Sequence, residues 1–241
     1  MALARWRTDF RRWEKVPGSP VCEVDLDVDR MLRARLEGLM PDAGWLSEET
    51  IDSPERLAQP RVWVVDPIDG TRDYIRGREG WAVSIALVEH GRATIGVLDA
   101  PARGERWAAS VGAGASRNGV RLQAGTRIDL TGARVPTDAL PRIDRHLAMV
   151  HKPNSIALRM AMVAADEADL VATLRWGNEW DVAAAAVIAE EAGAAVSDAT
   201  GAPLRYNKPD PKAFGVMVAA PGIHAAAIDW FAPRAQATLG G

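Results

Sequence analysis

VWVVDPIDGT, residues 62–71, is a short apolar run that ends in two carboxylates, a glycine and a threonine. Its valines and tryptophan predict a strand that is buried on both faces. Pro67 cannot continue a ladder of hydrogen bonds and holds the residue before it extended. The pattern therefore predicts that the strand stops at Asp66 and that this carboxylate projects from the strand end. Asp69 follows in a tight turn, close enough to converge with Asp66 on one point.

Two ionised carboxylates that converge in a partly dry site repel each other, and a shared proton or a bound cation relieves the repulsion. Oxygen ligands suit a hard ion such as Mg²⁺, which takes one or two carboxylates, keeps several waters and binds substrate phosphate. Gly70 and Thr71 offer backbone donors for an anion if they open a helix. The alternative from these residues alone is an ordinary Asp-Pro turn in which an aspartate caps the next helix.

Length and composition limit the class of protein. The 241 residues form one large domain or two small ones, and 48% apolar with 25% charged residues is ordinary for a globular protein. A net charge of -3 gives no general attraction to nucleic acid polymers or anionic membranes. The single cysteine, Cys22, excludes an internal disulfide and favours a reducing, cytoplasmic location. No apolar run approaches the roughly 20 residues that cross a bilayer.

The first half of the chain predicts an α+β arrangement. Residues 4–13 predict a short first helix with a solvated basic face, and apolar residues at helical spacing over 31–39 predict a second. Asp27 and Asp29 are interpreted as acids near the start of that second helix, favourable to its dipole. The apolar runs 81–88 and 93–98 predict an antiparallel hairpin. We therefore expect residues 1–125 to form a unit with an antiparallel sheet and most of the candidate ligands.

The second half predicts an α/β arrangement over residues 126–241. Residues 124–144 lack periodicity and contain Pro136 and Pro141, so the connection between the halves is placed there. Beyond it, strands alternate with helices. Asp181 is predicted to open one helix as its N-cap, a role that needs no further function. The predicted strands are 147–150, 170–173, 194–196 and 215–219, and the predicted helices are 155–165, 181–192 and one from His224.

The hexapeptide D-P-I-D-G-T, residues 66–71, is the unchanged signature of the inositol monophosphatase superfamily of Mg²⁺-dependent, lithium-sensitive phosphomonoesterases. The sequence resembles this family from Lys15 to about His224. Residues 21–25, VCEVD, resemble its V-T-x-x-D motif with Cys22 in place of threonine. The resemblance implies a layered α-β-α-β-α sandwich of the inositol monophosphatase/fructose-1,6-bisphosphatase type, with the active site between the halves. Members of the family are often homodimers.

Two further motifs supply the remaining ligands that the resemblance implies. Residues 47–49, SEE, resemble the G-E-E triplet of the family, and residues 180–181, WD, resemble its W-D motif. Asp25 and Thr71 then orient the attacking water, Glu48 completes the catalytic set, and Gly70 and Thr71 bind phosphate. Lys15 lies where the family often has a lysine near the metals. The ligands implied for two or three Mg²⁺ ions are Glu48, Asp66, Asp69, Asp181 and the backbone carbonyl of Ile68.

The substrate is a small phosphorylated metabolite whose identity depends on less regular segments. Residues 72–75, RDYI, and the stretches 177–181 and 203–208 resemble the CysQ branch, which removes the 3'-phosphate of 3'-phosphoadenosine 5'-phosphate. Tyr206 is either a platform for a purine or a packing residue. A second phosphate needs cations, for which the candidates are Lys152, Arg159, Arg175, Arg205 and Lys208.

Three alternatives to the nucleotidase interpretation stay open. Inositol 1-phosphate is the substrate of many family members, although these commonly have T-N-F after the signature. Enzymes of the histidinol-phosphatase type also have G-T-R, as this chain has at residues 70–72. A catalytically silent, metal-binding regulator on the same fold is a different class, and the retention of all implied ligands argues against it.

Overall fold

The computed structural model describes residues 1–240. Six α-helices, three short 3-10 helices (Pro54–Ala58, Pro101–Arg103 and Arg142–Asp144) and fourteen strands lie in this part of the chain, and the α-helices and strands are numbered here. In chain order they are α1 (Ala2–Arg5), β1 (Arg12–Glu14), β2 (Pro20–Cys22), α2 (Glu23–Leu39), β3 (Gly44–Ser47), β4 (Arg61–Asp69), α3 (Thr71–Ile75), β5 (Ala82–Glu89), β6 (Arg92–Ala100), β7 (Glu105–Ser110), β8 (Gly114–Arg117), β9 (Val120–Arg121), β10 (Arg134–Pro136), β11 (Ala148–Val150), α4 (Ile156–Ala164), β12 (Leu170–Asn178), α5 (Glu179–Glu191), β13 (Ala195–Ser197), β14 (Lys212–Ala219) and α6 (Pro221–Leu239).

The main sheet has seven strands in the order β3-β4-β5-β6-β7-β8-β9. The pair β3 and β4 is parallel and the other neighbours are antiparallel, so the predicted hairpin of β5 and β6 is confirmed. Strand β4 is buried from Val62 to Asp69, as its valines predict. It does not stop at Asp66 as predicted: it pairs with β5 at Asp66 and again at Asp69, with a shift of register between them. A bulge accommodates Pro67 because the residues in a bulge leave the ladder.

The second sheet has the order β12-β14-β13 and all its pairs are antiparallel. Helices and strands alternate in this half as predicted, but the parallel pairing that such alternation favours is absent from this sheet. The segment 124–144, predicted as a connection, contains β10, which pairs with β11 in a separate two-stranded sheet.

Helix α5 lies between the two sheets. It contacts β4 to β7 on one side and β12 to β14 on the other, while α4 packs beside it. Its alanines allow a close approach: a Cβ atom added to Gly96 of β6 would lie 2.2 Å from the carbonyl oxygen of Ala184. Helix α2 contacts β4, and α6 contacts β12 and β14. The layers α2, main sheet, α4 with α5, second sheet and α6 confirm the predicted sandwich.

The largest hydrophobic cluster contains residues from both predicted halves, including Val64, Leu98, Ile188 and Val218. The halves thus share buried surface along α5. The boundary between residues 125 and 126 stays a prediction. Within residues 1–240, no helix is long and apolar enough to cross a membrane.

Two predictions about the N-terminal segment are corrected. The predicted helix over 4–13 is wrong beyond Arg5: Trp6 is extended and Arg7 has a φ of 63°, which ends the helix, and residues 12–14 form β1. Helix α2 begins at Glu23, and Asp29 lies buried inside it, not at its start. Asp29 accepts hydrogen bonds from the hydroxyls of Ser47 and Thr50 at 2.5 and 2.6 Å. These two hydrogen bonds therefore hold α2 against the segment that contains Glu48.

Candidate active site

The bulge of β4 fixes its two carboxylates in different ways. Oδ1 of Asp66 accepts the backbone N–H of Ile68 at 2.9 Å, which turns the chain back over the carboxylate. Asp69 reaches the start of α4, where its Oδ2 accepts the hydroxyl of Ser155 at 2.5 Å and the N–H of Ala157 at 2.8 Å. The sequence analysis did not identify Ser155 as a site residue, although a serine before an apolar helical run is an N-cap signal.

Gly70 joins β4 to α3 with a φ of 93°, a conformation that favours glycine. A Cβ atom here would lie 2.7 Å from the carbonyl oxygen of Gly80 and 2.9 Å from the backbone nitrogen of Ser155, so the close approach also requires glycine. Thr71 follows as the first residue of α3. Its hydroxyl lies 3.1 Å from Oδ1 of Asp25 and 2.9 Å from the carbonyl oxygen of Ile68. Having one proton, it donates to one of them at a time.

Asp25 belongs to a capping box at the start of α2. Its Oδ2 accepts the N–H of Cys22, the N-cap residue, at 2.8 Å. Burial raises the pKa of Asp25 to about 6, while the hydrogen bonds from Cys22 oppose the shift. Cys22 thus occupies the capping place that the resemblance assigns to threonine. With Oδ2 bound in the capping box, the other carboxylate oxygen of Asp25, Oδ1, faces Thr71.

Asp181 belongs to a second capping box, at the start of α5. The N-cap is Asn178 and not Asp181 as predicted, because the helix begins at Glu179, whose N–H is bound by the carbonyl of Pro211. Oδ2 of Asp181 accepts the N–H of Asn178 at 2.8 Å. Burial raises the pKa of Asp181 to about 7, and the charge of Asp69 adds to this effect.

The carboxylates act on one another through their charges. Burial, followed by the charges of Glu48 and Asp69, raises the pKa of Asp66 well above its usual value, and Asp181 and Asp25 add to the shift. Burial raises the pKa of Asp69 to about 6 against the hydrogen bond from Ser155. Such mutual repulsion favours a cation in the space between the groups. This space is a cavity of about 370 Å³, whose lining includes Glu48, Asp66, Ile68, Asp69, Thr71 and Asp181.

The donor set of this carboxylate cavity fits a hard ion. Within residues 1–240, no three His, Cys, Asp or Glu side chains are arranged so that they hold a metal ion by themselves. Mg²⁺ does not need such a cage, because it takes one or two carboxylates and completes its shell with waters and phosphate oxygens. Buried carboxylates with raised pKa values and a backbone carbonyl at the same wall provide these ligands.

Lys15 lies beside Glu48, in agreement with the resemblance. Its Nζ donates to Oε1 of Glu48 at 3.2 Å and to Oε1 of Glu49 at 2.6 Å. Burial raises the pKa of Glu49 to about 7, while Lys15 lowers it. The lysine thus offsets part of the negative charge on this side of the cavity.

A cationic rim, defined as Arg72, Lys152, Arg159 and Arg175, lines the same cavity. Lys152 pairs with Asp138 at 2.6 Å. Arg159 donates to the backbone carbonyls of Asn154 and Ser155, and its burial lowers its pKa. Arg175 is exposed and, within residues 1–240, its side chain makes no hydrogen bond or ion pair. It is therefore the rim cation that is available to an anion without losing a protein partner.

Two predicted substrate residues, Arg205 and Lys208, do not line this cavity. The backbone N–H groups of Asn207 and Lys208 instead bind the fully buried carboxylate of Glu179 at 2.6 and 3.1 Å. Tyr206 is 7% exposed and its hydroxyl has no hydrogen-bond partner, so it is a packing residue and not a platform for a purine. The structure thus brings together the predicted ligands and only part of the predicted cations.

Comparisons with known proteins agree with this geometry. The family model described as "Inositol monophosphatase family" matches residues 2–237. The chain is 41% identical over 197 residues to the 3'-phosphoadenosine 5'-phosphate phosphatase of Mycobacterium leprae, covering 75% of this chain and 70% of that protein. It is 34% identical over 204 residues to the 3'(2'),5'-bisphosphate nucleotidase CysQ of Escherichia coli K12, covering 80% and 81%.

A solved structure of the Thermotoga maritima IMPase superposes with a TM-score of 0.83 at 28% identity. The superposition covers 98% of this chain and 93% of that one. The match of the family model extends over almost the whole sequence. The chain therefore belongs to the inositol monophosphatase family, whose members are metal-dependent phosphatases that hydrolyse phosphate monoesters.

Proposed function

We propose that the chain hydrolyses the 3'-phosphate of 3'-phosphoadenosine 5'-phosphate in a reaction that depends on Mg²⁺. The observation that carries the proposal is the pairing of two features in the lining of one cavity, the carboxylates and the cationic rim. A monophosphate ester needs only the first feature. A substrate with a second phosphate uses the unpaired Arg175 as well, and Lys152 is a further candidate. The names of the Mycobacterium leprae and Escherichia coli relatives support the same choice.

Two or three Mg²⁺ ions would be held by the carboxylates and one backbone carbonyl of the cavity, namely Glu48, Asp66, Asp69, Asp181 and the carbonyl oxygen of Ile68. When bound, these ions polarise the phosphate, lower the pKa of a water and stabilise the leaving oxygen. Gly70 and Thr71 provide backbone N–H groups for a phosphate oxygen. The remaining task of the protein's own residues is to position the substrate and the attacking water.

Asp25 and Thr71 position the attacking water. Because Cys22 holds one oxygen of Asp25, the other accepts the proton of the Thr71 hydroxyl. The lone pairs of that hydroxyl then accept a hydrogen bond from a water in the cavity, which fixes the direction of attack. As the water loses a proton to the Thr71 hydroxyl, that hydroxyl passes its own proton to Asp25, whose raised pKa suits a general base.

Inositol 1-phosphate is the second candidate substrate. Its support is the superposition on the Thermotoga maritima IMPase, which extends over 98% of this chain. An inositol ester would use the carboxylate wall and leave the anion-binding capacity of Arg175 unused. A histidinol-phosphatase-type substrate has no further observation in its favour, while the silent regulator has the names of two relatives, each called Nus factor SuhB.

The test compares kcat/KM for 3'-phosphoadenosine 5'-phosphate and for inositol 1-phosphate on one preparation with Mg²⁺, with Asp66→Asn as the inactive control. We expect a strong preference for the nucleotide, and a loss of most of that preference in Arg175→Ala. Preference for the inositol ester would reject the proposed substrate and retain the proposed chemistry. Hydrolysis of neither substrate would reject both and favour a silent regulator.

A further inference from the structure

Trp176 is unusually exposed for a tryptophan. It follows Arg175 on β12, at an irregularity where the register with β14 shifts between Thr173 and Trp176. Its side chain is 56% exposed, whereas Trp81 and Trp107 are buried in the core. Large aromatic side chains gain much free energy from burial, so an exposed one at the edge of a cavity is available to stack on a ligand.

The ring of Trp176 is held in place although it is exposed. Phe214, the residue opposite it on β14, packs edge to face against it with a centroid distance of 5.2 Å and an interplanar angle of 63°. This contact orients the indole from one side and leaves more than half of the side chain accessible. A ring fixed in this way loses little conformational freedom when a ligand stacks on it.

Trp176 is one of the residues that line a second cavity, of about 410 Å³. This cavity shares Ile156, Arg175 and Asp181 with the carboxylate cavity, so the two are adjoining compartments. Its other lining side chains include the apolar Val182, Ala213 and Val216. The second cavity therefore combines an apolar wall, an exposed aromatic ring and a cation at the side that faces the catalytic groups.

We infer that this second cavity is a base-binding subsite, in which Trp176 stacks on the heteroaromatic base of a nucleotide substrate. The inference rests on the proposed function and names the group that recognises the base. Arg175 lines both cavities, so it would lie near the ribose that joins the base to the reacting phosphate, where it could bind the 5'-phosphate. Tyr206, the aromatic residue that the sequence offered for this task, is buried and has no access to either cavity.

The test measures the ratio of kcat/KM for 3'-phosphoadenosine 5'-phosphate to kcat/KM for inositol 1-phosphate in Trp176→Ala and Trp176→Phe. Stacking of one base on an aromatic side chain corresponds to roughly a 5- to 150-fold effect. We expect the ratio to fall by that factor in Trp176→Ala, chiefly through KM for the nucleotide, and to be largely retained in Trp176→Phe. The matched control is Trp230→Phe, since Trp230 is 38% exposed on α6 and lines neither cavity.

Equilibrium binding of adenosine 5'-phosphate, measured by calorimetry on the same variants, separates this inference from the proposed function. Weaker binding in Trp176→Ala, with binding retained in Trp176→Phe, supports the subsite even if the protein does not hydrolyse the bisphosphate. An equal loss for both substrates would identify Trp176 as a structural residue and overturn the inference. Unchanged nucleotide binding in Trp176→Ala, or no binding by the unmodified protein, would overturn it as well.

Discussion

The starts of α2 and α5 use the same local structure for different purposes. Each helix begins with a capping box, and in each the third helical residue is an aspartate whose Oδ2 accepts the N–H of the N-cap residue at 2.8 Å. The aspartates are Asp25 and Asp181. Such a box satisfies one of the free donors at a helix start and places a negative charge near the positive end of the helix dipole.

The difference lies in what the second oxygen of each carboxylate meets. Asp25 is 1% exposed and its Oδ1 accepts the hydroxyl of Thr71. Asp181 is half-buried, lines the carboxylate cavity, and its Oδ1 has no hydrogen-bond partner within residues 1–240. One capping aspartate therefore has a hydrogen bond on each oxygen, while the other, in the described part of the chain, has one oxygen free at the cavity. The capping motif alone does not determine the function of its aspartate.

Asp25→Asn is expected to have the largest effect. One side-chain atom must remain an oxygen to accept the N–H of Cys22, so the amide group faces Thr71 and donates to its hydroxyl. The hydroxyl then donates its proton to the carbonyl oxygen of Ile68, and the amide occupies a lone pair of the hydroxyl and cannot accept a proton as Asp25 does. We expect kcat to fall by about 100-fold or more, with the Mg²⁺ concentration for half-activation unchanged. An unchanged kcat would contradict the positioning role.

Asp181→Asn should have a different signature, because an asparagine oxygen still accepts the N–H of Asn178 and the helix start is preserved. The cavity loses one charge, so the Mg²⁺ concentration for half-activation should rise about 10- to 100-fold. Asp229→Asn removes a charge from the exposed face of α6 and is the matched control. If Asp181→Asn and the control have equal Mg²⁺ dependence, Asp181 is a cap and nothing more.

Asn178→Ala should give the smallest of the three effects. It removes the side chain at the N-cap of α5 but keeps the backbone N–H that binds Asp181. Loss of a capping side chain costs about 1 kcal/mol of unfolding free energy, which denaturant unfolding will measure. The Mg²⁺ requirement should stay within about twofold of the unmodified protein; a tenfold rise would show that the cap itself positions the ligand.

Local sequence was sufficient to predict much of the fold and, among the acidic residues of the candidate site, the pair Asp66 and Asp69, whereas Glu48 was selected through the family resemblance. Three predictions that depend only on neighbouring residues identified the correct elements. They concern the signature at 66–71, the turn between β5 and β6, and the alternation of strands and helices after residue 145. Asp25 and Asp181 were selected only through the family resemblance. Without the resemblance, the sequence around Asp181 predicted a helix cap and no further role.

Tertiary contacts decided what the sequence left open. Helix α5 begins before Asp181 because Pro211 binds the N–H of Glu179, a partner distant in sequence. Lys208 was grouped with Arg175 by charge, but its backbone binds Glu179 outside the cavity. Trp176 went unnoticed because periodicity does not tell an exposed aromatic residue on a strand from a buried one. The residues of the cationic rim come from separate segments of the chain, so only the folded structure shows which cations belong to it.

The central claim is that the four carboxylates Glu48, Asp66, Asp69 and Asp181 form a Mg²⁺ centre, and calorimetric titration of Mg²⁺ tests it most directly. The titration compares the unmodified protein with Asp66→Asn, in which an amide oxygen still accepts the N–H of Ile68. We predict that the unmodified protein binds Mg²⁺ and that the variant binds it at least about 10-fold more weakly. Equal affinity in the two proteins, or no binding by either, would contradict the account.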